Sequence, residues 1–93
     1  MNVVIIEDGP SIAQKMKKYI EEYSPAFNVV KILSSVEESL VYFDSAESPD
    51  LIFSDIELND GLCFEIFEKT IICKRNKRYL FIEKMNYLLN QIK

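Results

Sequence analysis

The chain contains no histidine and only two cysteines, Cys63 and Cys73, among its 93 residues. Two thiols without a histidine cannot form the common zinc sites or a Cys–His nucleophile, and they are too few to staple a small secreted domain. We therefore expect both thiols to be reduced and buried, and the protein to be cytoplasmic.

Long apolar stretches are also missing. The run at residues 2–6 is far shorter than the about 20 residues that a membrane-spanning helix needs, and it is followed directly by Glu7 and Asp8. We predict neither a signal peptide nor a membrane span. Because 48% of the residues are hydrophobic, the chain can bury one core, and residues 1–93 are expected to form a single domain.

Charge is distributed unevenly along the chain. Residues 1–68 carry four basic and fourteen acidic side chains, whereas residues 69–93 carry seven basic and one acidic. The basic run at residues 74–78 could contact nucleic acid, but solvated loops and helix faces often have the same composition. We expect no direct nucleic-acid binding by this chain.

Hydrophobic periodicity predicts a strand and then a helix at the start of the chain. The continuous β-branched run at residues 2–6 is typical of a strand buried on both faces of a parallel sheet. Pro10 stands where a helix should begin, and apolar residues follow it at helical spacing. The predicted apolar face consists of Ile12, Met16, Tyr19, Ile20 and Tyr23.

The same alternation continues to about residue 69. We predict strands at residues 29–33 and 51–55, a helix after the capping box Ser35 to Glu38, and a third helix after the turn at residues 59–61. Right-handed crossovers then give the α/β class. We expect a flavodoxin-like, doubly wound parallel sheet with strand order 2-1-3, incomplete or altered after the third helix.

The pattern weakens after Glu68. Residues 70–73 could form a fourth strand, but the basic run follows them directly. We interpret the remainder as a helix from Tyr79 in preference to a strand at residues 87–89.

Three acidic side chains follow the ends of two strands. Glu7 and Asp8 come after the first strand and Asp55 ends the third, and these strands are neighbours in the expected order. Carboxylates this close repel one another unless a divalent cation neutralises them. Mg²⁺ is the expected cation, and such a site suits phosphoryl transfer to a carboxylate.

At these positions the chain resembles the receiver domains of two-component response regulators. The resemblance rests on the spaced motifs Glu7-Asp8, Pro10, residues 49–56 and residues 59–62. The sequence of residues 55–67 is similar to the corresponding segment in the receivers of LytTR-type regulators. The match covers residues 1–69, and residues 70–93 diverge.

The resemblance implies a role for each acidic residue. Asp55 would accept a phosphoryl group from a phosphohistidine of a sensor histidine kinase. Asp8 would bind Mg²⁺ directly, Glu7 largely through water, and Glu57 through its backbone carbonyl. Such a chain is a signalling domain and not an enzyme, since it catalyses only its own phosphorylation.

The end of the chain departs from the family pattern. Asn90 stands where receivers carry a lysine, Gln91 where they carry a proline, and Thr70 precedes the possible fourth strand instead of ending it. Three explanations remain open: a truncated or frameshifted product, a degenerate receiver, or a chain that completes its sheet with another copy. Because an incomplete sheet exposes an unpaired edge, we expect a homodimer.

Two other functions compete with the phosphoacceptor hypothesis. A pseudo-receiver would keep the fold as an interaction or dimerisation module without phosphorylation, as Asn90 and Gln91 suggest. A Mg²⁺-dependent phosphatase is the weaker alternative, because the acid two residues after Asp55 is Glu57 and no D-x-D pair is formed.

Overall fold

The computed structural model describes residues 1–45, 49–69 and 78–82, with Ser45 and residues 78–82 described only by their backbone. The helices are α1 (Pro10–Tyr23), α2 (Val36–Ser45) and α3 (Phe64–Lys69). The strands are β1 (Asn2–Ile6), β2 (Asn28–Leu33), β3 (Leu51–Asp55), β4 (Glu57–Leu58), β5 (Gly61–Leu62) and β6 (Arg78–Ile82). Four of these strands form a parallel sheet in the order β2-β1-β3-β6. The α/β class and the 2-1-3 strand order are therefore confirmed.

Strand β1 lies at the centre of the sheet and is buried on both faces. Its last four residues, Val3 to Ile6, have no exposed surface. Val3 and Ile5 pack against Met16 and Ile20 of α1. Val4 and Ile6 belong to the larger cluster on the other face, which includes Val36, Phe43, Ile66 and Phe67 from α2 and α3. Because successive strand residues point to opposite faces, the unbroken apolar run covers both.

Helix α1 begins at Pro10, as the sequence predicts, because proline lacks the N–H that the first helical turn leaves unpaired. Its buried residues are Ala13, Met16 and Ile20. The prediction for Tyr23 was wrong: the side chain is 83% exposed at the last position of the helix, and its ring stacks on Phe27.

Helix α2 begins after a side-chain cap. The Ser35 hydroxyl accepts the Glu38 backbone N–H at 3.0 Å, which confirms that Ser35 caps this helix. The Glu38 carboxylate does not close the reciprocal half of the predicted capping box; it accepts a hydrogen bond from the Ser34 hydroxyl at 3.1 Å.

A small hairpin replaces the simple turn predicted between β3 and the third helix. Strands β4 and β5 pair antiparallel, with Leu58 opposite Gly61. Gly61 has a φ of 150°, and a Cβ there would lie 3.0 Å from a carboxylate oxygen of Glu65. The position therefore requires glycine. The apolar pattern of the third helix begins at Leu62, but α3 itself starts two residues later, at Phe64.

The predicted helix from Tyr79 was wrong over residues 78–82. The chain forms strand β6 there, and it pairs in parallel with all five residues of β3. Aromatic and β-branched residues favour a strand, and pairing satisfies backbone groups on the second side of β3. The predictions for residues 70–73 and 87–89 lie outside the described residues.

Candidate functional site

Glu7 is held at the carboxyl end of β1 by backbone pairing. Its N–H donates to the Leu33 carbonyl at 2.8 Å, which extends the contact between β1 and β2 by one residue. The side chain is only 3% exposed. One oxygen, Oε1, accepts the Gly9 N–H at 3.0 Å. A Cβ at Gly9 would lie 3.2 Å from that oxygen, so glycine leaves room for the carboxylate.

Asp55 ends β3 beside Glu7. Ile6 of β1 pairs with Ser54 of β3. The residue that follows each of them along the chain is an acid, Glu7 after Ile6 and Asp55 after Ser54. Ser54 is fully buried, and its hydroxyl donates to the Asp55 carbonyl at 3.0 Å. Sheet register thus brings two acids from distant parts of the sequence to one edge.

Three carboxylates converge at this edge. Glu7, Asp8 and Asp55 each offer an oxygen, and these atoms lie within 4.8 Å of one another. Glu7 Oε2 and Asp55 Oδ1 are buried, and neither has a hydrogen-bond partner within the described part of the chain. A buried acceptor without a partner costs free energy, so each of these two oxygens can accept a further hydrogen bond or contact a cation.

Protonation of the site reflects this crowding. Burial raises the pKa of Glu7 from 4.5 to about 8; the Gly9 N–H opposes the rise, and Asp55 and Asp8 add to it. Burial also raises the pKa of Asp55, and the nearby Asp8 charge contributes in the same direction. Both acids hold a proton more readily than in water, because burial disfavours their charged forms.

The donor set fits a small hard cation. All three side chains offer carboxylate oxygens, which Mg²⁺ prefers to nitrogen or sulfur ligands. The two unpartnered buried oxygens are positions that a cation would satisfy. The chemistry of the residues present is therefore compatible with a divalent metal.

Glu57, the fourth predicted site residue, lies at the start of β4 with its side chain exposed. The Ile56 N–H and then the Glu57 N–H oppose the rise in the pKa of Asp55, so this segment borders the site. The role of the Glu57 carbonyl as a metal ligand stays a prediction. Thr70, Asn90 and Gln91 lie outside the described residues.

Asp60 has a contact that the sequence did not predict. Its carboxylate accepts the backbone N–H groups of Val36 and Glu37 at 2.8 and 3.0 Å. These hydrogen bonds, first that of Glu37, lower the pKa of Asp60. The hairpin after Asp55 is thereby attached to the first turn of α2, although the sequence indicates only a turn at residues 59–61.

Cys63 is fully buried, as expected, and burial raises the pKa of its thiol. Its N–H donates to the Ile56 carbonyl at 2.9 Å, which fixes the segment that follows Asp55. Cys73 lies outside the described residues. Among the described helices, none combines the length and apolar character needed to span a bilayer.

The fold of the chain is one that known proteins share. A parallel sheet with the order 2-1-3 and helices on both faces is the flavodoxin-like fold of receiver domains. No family model and no curated protein sequence matches the chain. Similar proteins are found among solved structures.

Its structural neighbours are response-regulator receiver domains. The response regulator PhyR from Brucella abortus superposes with a TM-score of 0.73 and 26% identity, over 99% of this chain and 37% of that one. PhyR from Bartonella quintana, in complex with the anti-sigma factor NepR, gives 0.71 and 28% over 86% of this chain and 32% of that one. The receiver domain of the hybrid histidine kinase CckA gives 0.66 and 13% over 99% and 95% of the two chains.

The lengths of these neighbours differ from that of the chain. This chain spans about a third of each PhyR chain but nearly the whole length of the CckA receiver domain. At 13% identity the CckA match shows the fold alone. The likeness thus extends to one receiver domain within the PhyR chains.

Proposed function

We propose that the chain is a receiver domain that takes a phosphoryl group on Asp55 from the phosphohistidine of a sensor histidine kinase, in a Mg²⁺-dependent reaction. The observation that carries the proposal is the convergence of Glu7, Asp8 and Asp55, with two buried oxygens that have no partner within the described part of the chain. The likeness to PhyR receivers adds support, because response-regulator signalling is the work of such domains. Because residues 55–67 resemble the receivers of LytTR-type regulators, we propose a regulator of that kind.

The chemistry follows from the carboxylate. An oxygen of Asp55 attacks the phosphorus atom, the P–N bond of the donor breaks, and its electron pair stays on the imidazole nitrogen, which takes up a proton. Glu7, Asp8, Asp55 and the Glu57 carbonyl would hold Mg²⁺, which would supply positive charge to neutralise the carboxylates and the phosphate oxygens. Buried Ser54 and the Ile56 and Glu57 N–H groups keep Asp55 in place.

The remaining parts of the proposal concern the chain as a whole. We take residues 1–93 as one receiver-like domain, with the motifs of the resemblance in residues 1–69 and a divergent segment at residues 70–93. It acts in the cytoplasm, turns over no metabolite, and has a sensor histidine kinase and a second copy of itself as partners. PhyR binds the anti-sigma factor NepR in one of the neighbouring structures, so a protein partner is also the expected recipient of the signal here.

A pseudo-receiver is the second candidate. Asn90 and Gln91 favour it, since they stand where receivers carry the lysine of the phosphate clamp and the proline that follows it. Such a module would bind its partner without phosphorylation. The two candidates differ in one property, which is whether Asp55 is ever modified.

Intact-protein mass spectrometry after incubation with Mg²⁺ and acetyl phosphate or phosphoramidate tests the proposal. We expect the wild type to gain one phosphoryl group, and to gain none in EDTA or as Asp55→Asn. Asp44→Asn is the matched control, because Asp44 is an exposed aspartate on α2, outside the acidic cluster. Absence of labelling in the wild type, under conditions that label a known receiver, would favour the pseudo-receiver.

A further inference from the structure

A groove of about 590 Å³ lies between strand β2 and helix α2, outside the acidic site. Lys31 lines it from the strand, and Glu37, Glu38, Val41 and Tyr42 line it from the helix. Strand β2 ends the described sheet, so this groove is at its border. The phosphoacceptor proposal assigns no role to any of these residues.

Exposed apolar surface forms part of the groove lining. Val41 is 69% exposed, although it sits well inside α2. Glu37 and Glu38 precede it by four and three residues, so the acids and the valine share one helix face. A valine this exposed gains free energy when another molecule covers it.

Charges of both signs flank this valine. Lys31 places its ammonium group 5.9 Å from the centre of the Tyr42 ring. Within the described residues it forms no ion pair with Glu37 or Glu38. The patch therefore offers a positive group from the strand and two negative groups from the helix to whatever covers it.

Strand addition at β2 is disfavoured. The register shifts between Val3 and Val4 of β1, so Val30 bulges out of β2, and the Glu21 carboxylate accepts the Val29 N–H at 3.2 Å. Bulges and occupied N–H groups protect an edge strand from pairing with another strand. A partner at this border would be held by side chains.

We propose that this groove is the contact surface of a homodimer with two-fold symmetry. In such a contact the same patch meets itself, so Lys31 of each copy faces Glu37 and Glu38 of the other, with the two Val41 side chains between them. A partner of a single charge would leave one sign unmatched, whereas a second copy matches both. The inference names the surface used by the second copy in the proposed function, and it does not require phosphorylation.

Charge exchange between two variants tests the contact. By sedimentation equilibrium, we expect the wild type to dimerise and Lys31→Glu and the double variant Glu37→Lys/Glu38→Lys each to dimerise at least about tenfold more weakly. An equimolar mixture of the two variants should form a heterodimer, because every facing pair then has opposite charges. A monomeric wild type, or a dimer that neither variant weakens, would overturn the proposal.

Three controls keep the result interpretable. Lys18→Glu changes an exposed lysine of α1 that lines neither this groove nor the smaller one beside β2, and it should leave the dimer unchanged. Val41→Asp should weaken the dimer without altering the helix termini, and circular dichroism verifies that each variant is folded. Using Asp55→Asn as the background in EDTA separates failure of this contact from failure of the phosphoacceptor proposal.

Discussion

At the amino ends of the strands, polar groups are paired with neighbouring segments, whereas two buried carboxylate oxygens at the carboxyl ends have no partner in the described ranges 1–45, 49–69 and 78–82. At the amino end the Met1 ammonium group donates to the Ala26 carbonyl at 2.8 Å, and the Asn28 N–H donates to the Met1 carbonyl at 2.9 Å. The Asn2 N–H donates to the Asp50 carboxylate at 2.7 Å, and the Asp50 N–H donates to the Asn2 carbonyl at 2.9 Å.

The carboxyl end carries the opposite arrangement. Among the residues that the structure describes, Glu7 and Asp55 each leave one buried oxygen without a partner. Strands β1 and β3 therefore begin at paired polar groups and end at carboxylates that leave a local free-energy cost. Buried polar groups without a partner and with shifted pKa values are common at functional sites.

Of the changes considered, Glu7→Gln should most strongly reduce the free-energy cost at the carboxyl ends of the strands. An amide carries no charge and can donate a hydrogen bond to Asp55, so the metal-free protein should gain about 1–3 kcal/mol in unfolding free energy at a pH above the Glu7 pKa. Stabilisation by Mg²⁺ should be largely lost. Urea unfolding in EDTA and in Mg²⁺ measures both, with Glu22→Gln, an exposed glutamate of α1, as the control. Equal metal-free stabilities for Glu7→Gln and the wild type at that pH would contradict a repulsion between the Glu7 and Asp55 carboxylates.

We also expect the stability of the metal-free wild type to depend on pH, because Glu7 loses its proton at a different pH in the folded and unfolded states. The folded state holds the Glu7 proton up to a pKa of about 8, whereas the unfolded state loses it near 4.5. Stability is therefore greatest below 4.5 in this contribution and falls as the pH rises to about 8, by at most about 1.4 kcal/mol per pH unit. Mg²⁺ binds the deprotonated site, so its stabilising effect should grow over that range.

Thermal unfolding at a series of pH values, with EDTA or with Mg²⁺, measures this slope. The slope should flatten in Glu7→Gln, because the titrating group is gone. A metal-free wild type that becomes more stable between pH 5 and pH 8 would be incompatible with the raised pKa values.

Asp50→Ala should have the smallest effect. It removes the acceptor of the Asn2 N–H at the amino end, which is exposed, and should cost about 1 kcal/mol. Mg²⁺ binding and phosphoryl transfer should be unchanged, since Asp50 lies at the other edge of the sheet. Urea unfolding with and without Mg²⁺ should give the same difference, and a metal-dependent difference would mean that the two edges are not independent.

The alternating elements up to α3 were predictable because each has a local cause. Pro10 fixes a helix start, Ser35 caps the next helix, and β-branched runs mark the strands. Convergence of Glu7 and Asp55 was predictable for the same reason, since acids that end neighbouring parallel strands meet at one edge.

The errors have non-local causes. The apolar pattern after Arg78 suits a helix as well as a strand, and only pairing with β3 decides for β6. The bond from Asp60 to the start of α2 joins residues 23 and 24 positions apart, so no local pattern indicates it. Tyr23 was assigned to the core by spacing, but the helix ends there and leaves the ring in solvent.

The attachment of the hairpin to α2 has a consequence for hydrogen exchange. The amide hydrogens of Val36 and Glu37 belong to the first turn of a helix, where amides have no partner inside the helix and exchange readily. Here both are donated to Asp60, so they exchange only when the hairpin after Asp55 detaches. Two backbone amides distant in sequence thus report how often the loop beside the acidic site opens.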